Sequence, residues 1–173
     1  MLAEIDRADL PDHVPTLDQL LELTDPMGLA LSLDVKDPAA WPQVRAAVLA
    51  RPGRVGRTYV CCETFPLLER VAPEYADLLL VDSSRLSTIR EGPERRLARL
   101  TELGVTALNM HHSDWNGGLV ALTHRFGRLA FAWDAQFDHT LVDLLRMGID
   151  GVYSDWVDRM VDAGRTEDSP STS

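Results

Sequence analysis

The sequence predicts an α/β fold of parallel strands joined by helical crossovers. Two observations predict it: short apolar runs alternate with amphipathic helical stretches along nearly the whole chain, and about six such strand–helix units follow one another. Strands separated by helices pair in parallel through right-handed crossovers. The 173 residues suffice for one packed domain, and the balance of 45% hydrophobic and 25% charged residues is ordinary for a globular chain.

The elements follow in order. Val14 to Leu23 carries leucines at helical spacing, with Thr16 as N-cap and Gln19 completing a capping box. Leu29 to Lys36 alternates strictly and reads as a strand; Ala39 to Leu49 is the next helix, with Pro42 in its first turn. Thr58 to Cys62 is a strand and Pro66 to Val71 a short helix. Asp77 to Asp82 is a strand, and Pro93 to Leu103 a helix closed by Gly104. Val105 to Met110, Leu129 to Trp133 and Gly151 to Ser154 are the remaining strands; Gly118 to Phe126, His139 to Arg146 and Val157 to Ala163 are the remaining helices. The domain is expected over residues 1–163, with a disordered polar tail over 164–173. About six units fall short of the eight of a closed (β/α)₈ barrel, and a doubly wound open sheet fits the same pattern.

A net charge of -10 argues against nucleic-acid binding and against an anionic membrane surface. No apolar run is long enough to span a bilayer, and the acidic start after Met1 is unlike a signal peptide, so a cytoplasmic protein is expected. The two cysteines, Cys61 and Cys62, are adjacent and read as reduced thiols on opposite faces of a strand. Glycine-rich nucleotide loops, a serine-nucleophile elbow and the zinc-protease helix motif are all missing.

In parallel α/β folds ligands lie at the carboxyl ends of the strands. The polar residues expected there are Asp34, Lys36, Glu63, Asp82, Asn109, His111, His112, Trp133, Asp134 and Asp155. Asp34 and Lys36 stand two apart on one strand and share a face. They read either as an ion pair or as a divalent-cation ligand beside a phosphate-binding lysine. Strand alternation lets only one of His111 and His112 face inward, and no ligand constellation is evident around them. Trp133 reads as core or as an apolar wall for an organic ligand.

Four motifs, in order, resemble the glycerophosphodiester phosphodiesterase family. Val14-Pro15-Thr16-Leu17 with Leu20-Leu21 is similar to that family's "IPTL..LL" helix start, and Leu31-Ser32-Leu33-Asp34-Val35-Lys36 to its "I-E-I-K" strand. Leu129-Ala130-Phe131-Ala132-Trp133-Asp134 resembles its "V..WTVN" strand, and Met147-Gly148-Ile149-Asp150-Gly151-Val152-Tyr153-Ser154-Asp155 its closing "GVDGIITD". The resemblance implies a TIM-barrel type (β/α)₈ fold lacking about its first two units. It also implies metal-dependent hydrolysis of a small-molecule glycerophosphodiester to glycerol 3-phosphate and an alcohol, with a divalent cation (Mg²⁺ or Ca²⁺). On this resemblance Asp34 is the metal ligand, and Lys36 and Trp133 bind substrate.

The departures shape the expectation as much. Asp34 stands where the family has Glu, which sets its carboxylate back by about 1.5 Å. The family's acid–base histidines and its other metal carboxylates precede the "PTL" helix, where only 13 residues stand before Val14. No catalytic residue is therefore assigned, and the chain alone is expected to be inactive or nearly so. A barrel already under way at Met1 implies a true start upstream. The open barrel edges imply a homo-oligomer or a recruited partner. The alternative is a non-catalytic half-barrel serving as an interaction or assembly module. An unrelated phosphate-binding barrel would need a glycine-rich loop where Trp156-Val157-Asp158 stands.

Overall fold

The computed structural model describes residues 9–168. Among them, one compact unit runs up to Cys61 and includes Asp77–Leu79, and the other comprises Cys62–Ala76 and the described residues from Leu80 onward.

The first unit opens with α1 (Leu17–Thr24), started by a complete capping box. Gln19 N–H donates to Thr16 Oγ1 at 3.2 Å and Thr16 N–H donates to Gln19 Oε1 at 2.8 Å, which satisfies two amides the helix leaves free. Strand β1 (Leu31–Asp34) pairs in parallel with β2 (Thr58–Cys62), from Leu31 opposite Thr58 to Asp34 opposite Cys61. Helix α2 (Trp41–Leu49) connects them and buries Trp41, Val44 and Val48. The unit is tied together by a residue that no local pattern marks. Arg54 is fully buried, and its guanidinium donates to Leu29 O at 2.9 Å and Thr24 Oγ1 at 2.6 Å and pairs with Asp25. A buried guanidinium with several acceptors is tolerable because its charge and its N–H groups are met.

The second unit carries β3 (Leu79–Ser84, all but its first residue), β4 (Ala107–His111), β5 (Leu129–Trp133) and β6 (Gly151–Val152), paired in parallel and in chain order. Its helices are α3 (Phe65–Val71), α4 (Pro93–Glu102), α5 (Gly117–Arg125), α6 (Asp138–Met147) and α7 (Val157–Asp168). Leu80, Val81, Leu108, Met110, Ala130 and Ala132 from the strands and Leu97, Leu100, Leu141 and Leu144 from the helices are almost wholly buried. Burial on successive residues of β4 and β5 is the mark of strands covered on both faces. Gly151 is required by packing: a Cβ there would stand 2.9 Å from Phe131 Cδ1. Gly148 ends α6 in the left-handed conformation, φ 84°.

The α/β class, the parallel pairing and the six strand–helix units stand as the sequence predicts. Several boundaries move. β1 is shorter than Leu29–Lys36, and β3 begins at Leu79; Asp77, expected in that strand, precedes it and is held by its side chain in a fork with Arg45 Nε and Nη2 at 2.6–3.0 Å. Helix α7 continues past Ala163 to Asp168, through the first residues of the expected tail, whose remainder at 169–173 lies outside the described residues. Cys61 and Cys62 are free thiols, and both are buried. Among the described residues no helix is long and apolar enough to cross a membrane.

Candidate functional site

The richest polar cluster lies in the second unit, at the carboxyl ends of β4 and β5. Parallel register puts His111, the last residue of β4, opposite Trp133, the last of β5. Beyond His111 the chain leaves the strand for one 3-10 turn, His112–Asp114, capped by the His111 ring. Ser113 N–H donates to His111 Nδ1 at 3.2 Å, and Ser113 Oγ lies 2.7 Å from the same nitrogen. An Nδ1 that accepts leaves the proton of the neutral ring on Nε2. Nε2 faces Asp134 Oδ2 at 3.1 Å.

Asp134 reaches that position through its backbone. It has φ 62°, the sole non-glycine positive φ among the described residues. Asp tolerates this region better than most residues, and an isolated outlier of this kind is typical of a site held by its surroundings. Gln136 braces it: its Nε2 donates to Asp134 Oδ1 at 3.2 Å and to Asp155 Oδ2 at 2.9 Å, while its Oε1 accepts from Asp155 N–H at 3.1 Å. The hydrogen bonds from Gln136 and then from His111 hold the Asp134 carboxyl below the usual range.

His112 does not point away from His111, as strand alternation required. The strand has ended, and the two imidazoles lie 4.3 Å apart between centroids. One ligand atom from each of His111, His112 and Asp134 falls within 4.8 Å of the others. Burial, and then the charge of His111, push the His112 imidazole below its ordinary pKa, which keeps it neutral near pH 7. Trp133 meets His111 edge to face at 4.7 Å and lies under the Arg85 guanidinium at 5.6 Å. Arg85 is neutralised by Asp114 at 2.7 Å. An open cleft lined by Trp133, Asp134, Gln136, Tyr153, Ser154 and Asp155 adjoins the cluster.

Asp34 and Lys36 lie in the first unit, where they form an exposed ion pair at 2.7 Å with side chains 52% and 59% accessible. Asp34 offers one carboxylate, whereas Mg²⁺ or Ca²⁺ takes six or more oxygen ligands. Among the described residues no other carboxylates gather with it into a cation-binding group, so these residues do not by themselves fit the cation that the resemblance implies. A Glu-x-Asp triplet does occur ahead of α1, as Glu4-Ile5-Asp6, but it lies outside the described residues.

Two other expected rim residues are structural. Asp82 is fully buried against Arg96 at 2.8 Å and accepts from Ser84 Oγ at 2.7 Å. Asn109 is buried and donates to Ser83 Oγ at 3.0 Å. Arg85 and Gln136 were not anticipated. Arg85 owes its place to a partner 29 residues away; Gln136 bonds the nearby Asp134 as well as partners 18 and 19 residues away, and those distant contacts carry no local signal.

No protein-family model and no curated protein sequence matches the chain. Solved structures do. A candidate glycerophosphoryl diester phosphodiesterase from Silicibacter pomeroyi is 25% identical with a TM-score of 0.72, covering 90% of this chain and 58% of that one. A phosphodiesterase from Oleispira antarctica, solved with the product sn-glycerol-3-phosphate, is 18% identical with a TM-score of 0.65, covering 87% and 61%. A glycerophosphodiester phosphodiesterase from Parabacteroides distasonis is 16% identical with a TM-score of 0.65, covering 90% and 66%. The likeness bears out the fold and the family resemblance read from the motifs, and the chain spans less than two thirds of the length of these neighbours.

Proposed function

Taking the chain as a structural relative of glycerophosphoryl diester phosphodiesterases, we propose that it acts on glycerophosphodiesters as a binding element and does not itself cleave them. The observation that carries this reading is the match of nearly the whole chain to phosphodiesterase structures, one of them holding sn-glycerol-3-phosphate. In this reading Lys36 is the phosphate contact. Its pairing with Asp34 is exposed, and such pairs are worth at most about 1 kcal/mol, so a phosphate can displace the carboxylate. Trp133 offers an apolar face beside an open cleft, suited to the glycerol or alkyl portion. Each assignment rests on its own unit.

Hydrolysis would require general acid and base groups, worth roughly 10²–10⁴-fold each. The family's His-Arg-Gly motif does not occur in these residues. Asp34 is the position for a divalent cation only if further carboxylates join it, and no step is assigned to one. In this reading the chain binds without turnover, the role of a non-catalytic module. Calorimetric titration of the 173-residue chain with sn-glycerol 3-phosphate tests the reading. Saturable binding that weakens in Lys36→Ala supports it, and no binding, or binding unchanged by Lys36→Ala, counts against it.

A further inference from the structure

We propose that His111, His112 and Asp134 form a binding site for a late first-row divalent cation of the Zn²⁺ type. The inference is independent of the phosphodiester reading. Two imidazoles and one carboxylate are a donor set that suits Zn²⁺, Ni²⁺ or Cu²⁺ and disfavours Mg²⁺ and Ca²⁺, which take oxygen. With Zn–N and Zn–O bonds of about 2.0–2.2 Å, ligand atoms in a tetrahedral shell lie roughly 3.4 Å apart. His111 Nε2 and Asp134 Oδ2 already stand at 3.1 Å, and all three ligand atoms lie within 4.8 Å, a gap that side-chain rotation closes.

Three separate local structures converge to make the cluster. The end of β4 supplies His111, the 3-10 turn turns His112 back beside it, and the left-handed residue after β5 supplies Asp134. The partners a metal site needs around its ligands are also present. Gln136 Nε2 holds the other Asp134 oxygen at 3.2 Å. When a cation replaces the Nε2 proton of His111, the ring proton moves to Nδ1. Ser113 Oγ, at 2.7 Å, then accepts it, and the Ser113 N–H contact at 3.2 Å is given up. Arg85, the cationic side chain stacked over Trp133, is offset by Asp114 at 2.7 Å. A plain Asp134–His111 hydrogen bond explains two of the three residues but leaves His112 without a part. His112 is therefore the residue that separates the readings.

The test is a titration of the chelator-treated 173-residue chain with Zn²⁺ by calorimetry, and with Co²⁺ by visible absorption. His112→Ala, Asp134→Asn and a His124→Ala control follow, each checked for folding by circular dichroism. The expected result is one equivalent bound, unaffected by excess Mg²⁺, intact in His124→Ala and weakened more than about tenfold in His112→Ala and Asp134→Asn. If a variant fails to fold, ring ¹⁵N signals of the unaltered chain decide, and both His111 and His112 must shift with Zn²⁺. No saturable binding, binding retained in both variants, or unshifted rings would overturn the proposal.

Discussion

His111 Nε2 lies 3.1 Å from Asp134 Oδ2, which links the last residue of β4 to the first residue beyond β5. With Nδ1 taken by Ser113 N–H, this is a directed bond from ring to carboxylate. It depends on a backbone conformation that few residues adopt. Asp134→Gly keeps that conformation and loses the carboxylate, whereas Asp134→Ala loses the carboxylate and strains the backbone as well. Thermal unfolding should therefore give a lower midpoint for Asp134→Ala than for Asp134→Gly. The reverse order would show that the left-handed conformation is not a constraint.

Arg96 is the main electrostatic anchor of the second unit. It pairs with buried Asp82 at 2.8 Å and with Glu91 at 2.5 Å, and its guanidinium lies 3.7 Å from the centre of the Phe65 ring. Burial pushes the Asp82 carboxyl up, against the Ser84 and Arg96 hydrogen bonds that pull it down. Removing Arg96 leaves that carboxylate buried and unpaired. Arg96→Met should cost about 3–5 kcal/mol in urea unfolding, and Asp82→Asn should cost less because Arg96 keeps Glu91.

Glu91 gives the pH signature. Partial burial pushes its carboxyl up, but the Arg96 hydrogen bond, a backbone hydrogen bond and the Arg96 charge together outweigh that, and the net direction is downward from 4.5. A carboxylate depressed in the folded state contributes stability above its unfolded pKa and loses it as pH falls through the folded pKa. Glu91→Gln should therefore destabilise the chain near neutral pH and cost less in acid well below 4.5. Urea midpoints at the two pH values check this.

Gly151 marks where sheet and core meet. A Cβ there would press on the Phe131 ring, which is buried and packed edge to face on Tyr153 at 6.2 Å. Gly151→Ala should lower stability by about 1–3 kcal/mol in thermal or urea unfolding, the range for overpacking a filled site.

Local signals in the sequence were read correctly where the cause is local. The Thr16–Gln19 capping box, the apolar strands and the glycine stop after α4 each follow from a few adjacent residues. Arg54 and Arg96 were not legible, because their partners lie up to 33 and 14 residues away. The candidate site shows the same division. Trp133 and the two histidines are visible as polar or aromatic residues at strand ends. Their grouping depends on where β4 stops, which alternation alone cannot give, and on the φ of Asp134. Asp82 and Asn109 are expected on the rim because they stand near the carboxyl ends of their strands, yet burial makes both structural.

The central claim, binding of a glycerophosphodiester without cleavage, is tested most directly by one NMR experiment. Glycerophosphocholine is titrated into the isotope-labelled 173-residue chain while its ³¹P signal is followed. The account predicts that the Lys36 and Trp133 signals move while the diester stays intact. Prompt release of glycerol 3-phosphate, or Lys36 and Trp133 signals that do not move, would contradict it.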